Sequence, residues 1–248
     1  MLEQIDIANV LFLDIETVSG ESDFANLSED MQALWTHKAY SATRSEAGSM
    51  TEEDTAAAYL DKAAIYAEFG KIVCISVGVV YRDKERRLKI RLKSFANADE
   101  SVVLKGFAEL LDQYYTNTSK QFLCGHNIKE FDIPYTCRRM VVNNLSFPRM
   151  LDIAGKKPWE TKHLMDTMEL WKFGDRKSYT SLKLLAATLG FPSPKDDIDG
   201  SMVGRVFWED NDIDRIAHYC EKDVLATAQL FLRYQLAPLL EEDQIEHV

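Results

Sequence analysis

The chain has 248 residues, 46% hydrophobic and 28% charged, with forty acids against twenty-nine bases and a formal charge of -11. A chain of this size buries roughly 70 to 75% of its unfolded surface, enough for one large domain or two small ones. The acidic balance excludes a basic coat protein that holds nucleic acid through lysine and arginine. Its longest apolar stretch, Ile72 to Tyr81, is about half of the roughly 20 residues that span a bilayer, and Glu3 and Asp6 stand where a basic leader would be. The chain therefore reads as soluble and unexported, with no membrane partner. Cys74, Cys124, Cys137 and Cys220 lie far apart without a C-x-x-C pair, and three of them sit in apolar segments. They read as reduced thiols, which places the chain in the cytoplasm.

Residues 9 to 15 (NVLFLDI) form a short apolar run of the kind that makes a buried strand, interrupted near its end by Asp14. Residues 21 to 70 change character, with helix-like stretches at Ser28 to Lys38 and Thr51 to Phe69; Thr51 and Asp54 have the spacing of a capping box. Ile72 to Tyr81 and Leu88 to Phe95 read as a hairpin joined by the polar turn Arg82 to Arg87. After Asp99, an N-cap candidate, Val102, Val103, Phe107, Leu110, Leu111 and Tyr114 recur at helical spacing. A short strand at Phe122 to Cys124 leads through a glycine turn into a helix whose first turn tolerates Pro134. Residues 144 to 162 are loop-like, Leu164 to Thr167 is a fifth strand, and helices are expected at Leu182 to Leu189 and about Asp199 to Phe207. In the final helix Ile213, Ile216, Ala217, Cys220, Val224, Ala228 and Phe231 keep the 3.6 period. The whole reads as one α/β domain, residues 1–248, with a helical insertion at about 21–70 after the first strand and an acidic tail at 241–248.

Three groups of polar residues stand out. Asp14 and Glu16, two apart on a strand, point to one face where they can share a hard cation; alone they would be solvent-facing residues at a strand end. Asn127 and Asp132 lie between a strand and a helix, where alone they would be turn and helix-start residues. Tyr219 and Asp223 are i, i+4 neighbours on the final helix, where a simple Tyr/Asp hydrogen bond would explain them.

Together the three groups, D-x-E, N-x-x-x-x-D and Y-x-x-x-D, resemble the three motifs of the DEDD (DnaQ-like) 3'-5' exonucleases, in the DEDDy branch because of Tyr219. FLDIET, EFGKIVCISVG, GHNIKEFDIPYTCRR, SLKLLAATLG and YCEKDVLATAQLFLR extend the resemblance to the exonuclease domain of family-B DNA polymerases. It covers most of the chain outside the insertion and the last dozen residues, and leaves none for palm, fingers or thumb, so the expectation is a stand-alone exonuclease. The resemblance implies a ribonuclease H-like fold, a five-stranded mixed sheet with an antiparallel second strand, flanked by helices.

It also implies a phosphodiester hydrolase using two divalent cations, Mg²⁺ or Mn²⁺, about 3.5 to 4 Å apart. Asp14 would bridge both ions, Glu16 and Asp223 would complete the site that activates water, and Asp132 would hold the second ion. Tyr219 would orient the nucleophile, and Glu16 with the backbone at Thr17 would touch the terminal 3'-hydroxyl, so that 5'-mononucleotides leave one by one. Asn127, Phe131 and Tyr135 are candidates for holding the terminal nucleotide, although core packing suits the two aromatics at least as well. Asp166 reads as a structural residue or a partner to the metal-binding acids rather than a ligand, and neither His126 nor His218 as the general base.

Lys89, Arg91 and Lys93 alternate onto one strand face, where they guard an edge or track a phosphate backbone, with edge protection the better reading. Lys156, Lys157 and Lys162 around Trp159 pose the same choice between nucleic-acid contact and plain loop. The charge itself is uneven: residues 21–70 hold ten acids and three bases, and residues 241–248 four acids and no base. The remaining 190 residues balance at twenty-six of each sign. The favoured function is thus hydrolysis of DNA, chiefly single-stranded 3' ends, in repair or end processing. The rivals are RNA trimming and a catalytically silent module of the same fold with the insertion docking a protein.

Overall fold

The structure is a computed structural model that describes residues 2–46, 48–175, 179–192 and 198–248. Its centre is a six-stranded mixed sheet in the order β5, β4, β1, β2, β3, β6. The strands are β1 (Val10–Ser19), β2 (Gly70–Arg82), β3 (Leu88–Ala96), β4 (Phe122–Gly125), β5 (Leu164–Asp166) and β6 (Ile245–His247). β2 runs antiparallel to β1 and β3, while β4 and β5 run parallel to β1. The antiparallel second strand matches the expected arrangement.

Among the described residues eight α-helical segments accompany the sheet: α1 (Glu29–Thr43), α2 (Glu52–Lys62), α3 (Glu100–Tyr114), α4 (Asp132–Val142), α5 (Thr167–Lys172), α6 (Leu182–Leu189), α7 (Val203–Arg205) and α8 (Ile213–Tyr234). Strand periodicity divides β1 between two cores. Leu11, Leu13 and Ile15 pack with α3 residues such as Phe107 and α4 residues such as Ile133. Val10 and Phe12 pack with Val224, Ala228 and Phe231 of α8. Asp14 and Glu16 follow the even-numbered series and so belong to the α8 side. α8 lies close to the sheet because β2 carries glycine at position 78, where an added side-chain carbon would stand 2.8 Å from Val224 Cγ1.

The start signals at Thr51 and Asp99 act as read from the sequence: both cap their helices, and Thr51 and Asp54 form a reciprocal capping box. Ser28 also caps its helix. The insertion builds a satellite core in which Trp35 meets Tyr59, Tyr66 and Phe69 edge-on and donates its indole N–H to the Thr55 carbonyl. It is tied back to the sheet by a buried network: Glu100 accepts from Arg139 at 2.6 Å and from the Ile72 amide at 2.7 Å, while Arg139 donates to the Ala67 carbonyl at 2.8 Å.

Three expectations need correction. β1 runs four residues beyond Ile15, because β2 continues to pair with it as far as Ser19. The helix expected at about Asp199 to Phe207 is only the single turn α7 followed by a π-type turn, Val206–Asp210. Gly200 and Gly204 weaken a helix there, and Asn211 ends it in the left-handed region. The sheet has a sixth strand, formed by the acidic tail, because Glu246 meets Lys89 at 3.0 Å, Arg91 at 3.4 Å and the Tyr81 hydroxyl at 2.7 Å. β3 is therefore not an edge strand: β6 covers it, and Lys89 and Arg91 pair with Glu246 instead of guarding an open edge. All four cysteines are free, and among the described residues no helix is long and apolar enough to cross a membrane.

Candidate active site

The site forms where β1 outruns its parallel neighbour. β4 pairs with β1 only through Val10, Leu11 and Phe12, so the β4-facing edge of β1 is vacant from Asp14 onward. Asp132, the first residue of α4, fills that edge: its buried carboxylate accepts from the amide of Ile15 and from its own. On the other side of β1, β2 carries one extra residue, Val73, between the partners of Glu16 and Thr17. Such bulges re-aim side chains and are common beside active sites.

α8 supplies the remaining groups. Tyr219 and Asp223, one turn apart, are hydrogen-bonded through their side chains, and both act electrostatically on Asp14 and Glu16 or are acted on by them. Between them Cys220 points at β1, its thiol 3.4 Å from the Asp14 carbonyl and 3.5 Å from Asp14 Oδ2. One donor atom each from Asp14, Glu16 and Cys220 fall within 4.8 Å of one another. In the sequence Cys220 belongs to the apolar stripe of the final helix, and its contact with Asp14, 206 positions away, exists only in the fold.

The electrostatics follow from this crowding. Burial pushes the carboxyl of Asp14 well above the ordinary aspartate range, and the charges of Asp132, Asp223 and Glu16 push it further. Glu16 is raised in the same way, first by burial and then by Asp223. Burial takes Asp132 up to about 7, with Asp166 and Asp223 adding to the shift and the two backbone hydrogen bonds opposing it. The Tyr219 phenol is also raised, by burial and then by Asp223, so it holds its proton. Buried oxygen donors that repel one another in this way are relieved by a hard divalent cation, for which carboxylates are suitable ligands.

The other candidates divide. Thr17 is half-buried beside Glu16, and its hydroxyl bonds that of Tyr135. Phe131 is partly buried and meets Tyr135 at 5.4 Å between ring centres. Tyr135 lies within the core, its hydroxyl donating to the Ala64 carbonyl at 2.9 Å. Gly70 has to be glycine because a side-chain carbon there would collide with that hydroxyl and stand 2.8 Å from the Val18 carbonyl. Asn127 adopts φ 69°, gives its amide to Asp166, and holds a buried side-chain oxygen that has no hydrogen-bond partner among the described residues.

Asp166 is held by backbone. It accepts from the amides of Asn127, Lys129, Met168 and Glu169 at 2.9 to 3.3 Å, a structural role. His126 is likewise committed, with Nδ1 on Thr167 and Nε2 on the Thr180 carbonyl, and burial lowers its pKa. Trp159 stands 66% exposed in the short turn Pro158–Glu160.

A family model described as "Predicted 3'-5' exonuclease related to the exonuclease domain of PolB" matches residues 65–246. Among solved structures, the family B DNA polymerase from the hyperthermophilic archaeon Pyrobaculum calidifontis matches with a TM-score of 0.52 and 16% identity, over 92% of this chain and 24% of that one. The chain thus spans about a quarter of that polymerase's length, and at this identity the likeness is one of fold. That fold is the ribonuclease H-like one expected, with β6 added. No curated protein matches the sequence.

Proposed function

The chain belongs to the family of predicted 3'-5' exonucleases related to the exonuclease domain of PolB, and on that premise we propose that it is a DEDDy-type hydrolase that removes 5'-mononucleotides from DNA 3' ends. The observation that supports this reading is that Asp132 and Asp223, from α4 and α8, both raise the proton affinity of Asp14 and Glu16 on β1. Residues 1–248 act as one exonuclease domain, with single-stranded ends as substrate and repair or end processing as the setting. Asp14, Glu16, Asp132 and Asp223 would hold two divalent cations, Mg²⁺ or Mn²⁺, which when bound supply charge neutralisation at the attacking and leaving oxygens of an in-line displacement.

The chain's own groups do the positioning. Tyr219 keeps its proton and is hydrogen-bonded to Asp223, so it orients a water molecule rather than removing its proton. Asp132 is pinned by the Ile15 amide, which fixes its distance from Asp14 and Glu16 on the same strand. Thr17, next along β1 from Glu16, offers its backbone to the terminal 3'-hydroxyl, and Phe131 an aromatic face to the terminal base. Asn127 holds an unsatisfied buried oxygen available to a substrate donor.

The test uses matched DNA and RNA strands, labelled at the 5' end, with Mg²⁺ or Mn²⁺. Stepwise shortening from the 3' end with mononucleotide release is expected, faster on DNA, and abolished by chelator and by Asp223→Asn. Faster RNA shortening would reassign the substrate. No metal-dependent release from either strand would overturn the enzyme reading.

A further inference from the structure

Glu16 and Thr17 line a cleft of about 620 Å³, the size of a small-ligand site. One wall is made by the insertion, where Leu60 and Ile65 project 55% and 52% exposed. The segment from Gly200 to Glu209, including Arg205 and Trp208, lines the same cleft. Exposed apolar side chains thus line the same cleft as a tryptophan and Glu16.

Trp208 is held rigidly. Its indole N–H donates to Ser19 Oγ at 3.1 Å, its edge meets Phe207 at 4.9 Å between ring centres, and Lys71 Nζ sits 4.4 Å from its ring centre. It also borders a second cavity, lined by Lys71 and Phe207, so the indole is a partition between two spaces. An aromatic ring fixed in this way can stack a base without first being ordered. The charges in the cleft do not favour a phosphate-tracking groove: Lys62 is paired with Asp61 at 3.0 Å, and Glu16 and Glu209 offset Arg205.

We infer that the insertion and the Gly200–Glu209 segment form a slot for one unpaired strand, with a base of the 3'-terminal segment held between Trp208 and the apolar Leu60/Ile65 wall. This rests on the exonuclease reading for its substrate, and it gives the insertion a role that its acidity obscures. Stacking serves every base, so the slot selects unpaired strand and not sequence. A base paired in a duplex has its faces covered by neighbouring pairs and cannot enter.

The experiment measures binding, by fluorescence anisotropy of a labelled oligonucleotide with Ca²⁺ present, alongside mononucleotide release by the wild type with Mn²⁺. Trp208→Ala should weaken single-strand binding about tenfold, with Trp208→Phe recovering most of the loss. It should raise KM more than it lowers kcat. Leu60→Glu, at an exposed position that does not endanger folding, should weaken binding at least about threefold, and Trp159→Ala, outside the cleft, should leave it unchanged. A blunt duplex should bind at least about tenfold more weakly than the single strand. Undiminished binding by both Trp208→Ala and Leu60→Glu, or equal affinity for blunt duplex, overturns the slot even if mononucleotides are released. Absence of release by a protein that binds single strands through Trp208 overturns the exonuclease reading and leaves the slot standing.

Discussion

Asp14 and Asp166 stand on strands that run in the same direction through one sheet, and their surroundings are opposite. Asp166, the last residue of β5, accepts four backbone amides. Asp14, two residues past the last pairing of β1 with β4, faces Asp132, Asp223 and Glu16. An acid saturated by amides has its negative charge satisfied by the protein itself, whereas crowded acids need a cation to become fully ionised. The difference separates a carboxylate that holds loops together from one suited to chemistry, although sequence gives both as an acid after an apolar run.

The largest expected effect comes from exchanging the two fates. Asp14→Asn should lower the rate of mononucleotide release at least about a hundredfold, a loss of roughly 2.7 kcal/mol, while raising the melting temperature of the metal-free protein. Asp166→Ala should lower that temperature by about 5 to 15 °C, as four amides lose their acceptor at a cost of about 2 to 4 kcal/mol. Its calorimetric affinity for Mn²⁺ should change less than about tenfold. A metal-free melting temperature that falls in Asp14→Asn, or one that is unchanged in Asp166→Ala, would break the distinction.

The second effect is a pH dependence. Asp14, Glu16 and Asp132 are raised in the folded state above their unfolded values, Asp132 to about 7. The stability they contribute is complete below the unfolded carboxylate range, about 4, and is lost as pH rises through their raised folded values, for Asp132 through about 7. Saturating Mn²⁺ restores it, so the rise in melting temperature on adding Mn²⁺ should be larger at pH 8 than at pH 5.5, and the contrast should shrink in Asp14→Asn. Calorimetric scans at the two pH values measure this, and an equal rise at both would contradict the crowding account.

The smallest effect belongs to the acid with the most solvent. Glu246 is held below the usual glutamate range by hydrogen bonds from Tyr81 and Lys89, yet its ion pairs are exposed. Glu246→Gln should lower the melting temperature only slightly, and the difference should fade as salt is added to the thermal scans.

What the sequence determined by itself was local or periodic. The caps at Ser28, Thr51 and Asp99 depend on residues two or three positions away, and the apolar stripe of α8 depends on helical geometry. The acids of the three motifs could be picked out by spacing because strand and helix periods dictate which side chains share a face. Only the tertiary structure decided the rest, since hydrogen-bond saturation and burial join residues distant in sequence. Asp166 is satisfied by amides up to 39 positions away, Tyr135 is committed to Ala64 across 71, and Trp208 is anchored to Ser19 across 189. The acidic insertion shows the same limit: its composition reads as a charged appendage, whereas folding turns Leu60 and Ile65 into one wall of the cleft that Glu16 also lines.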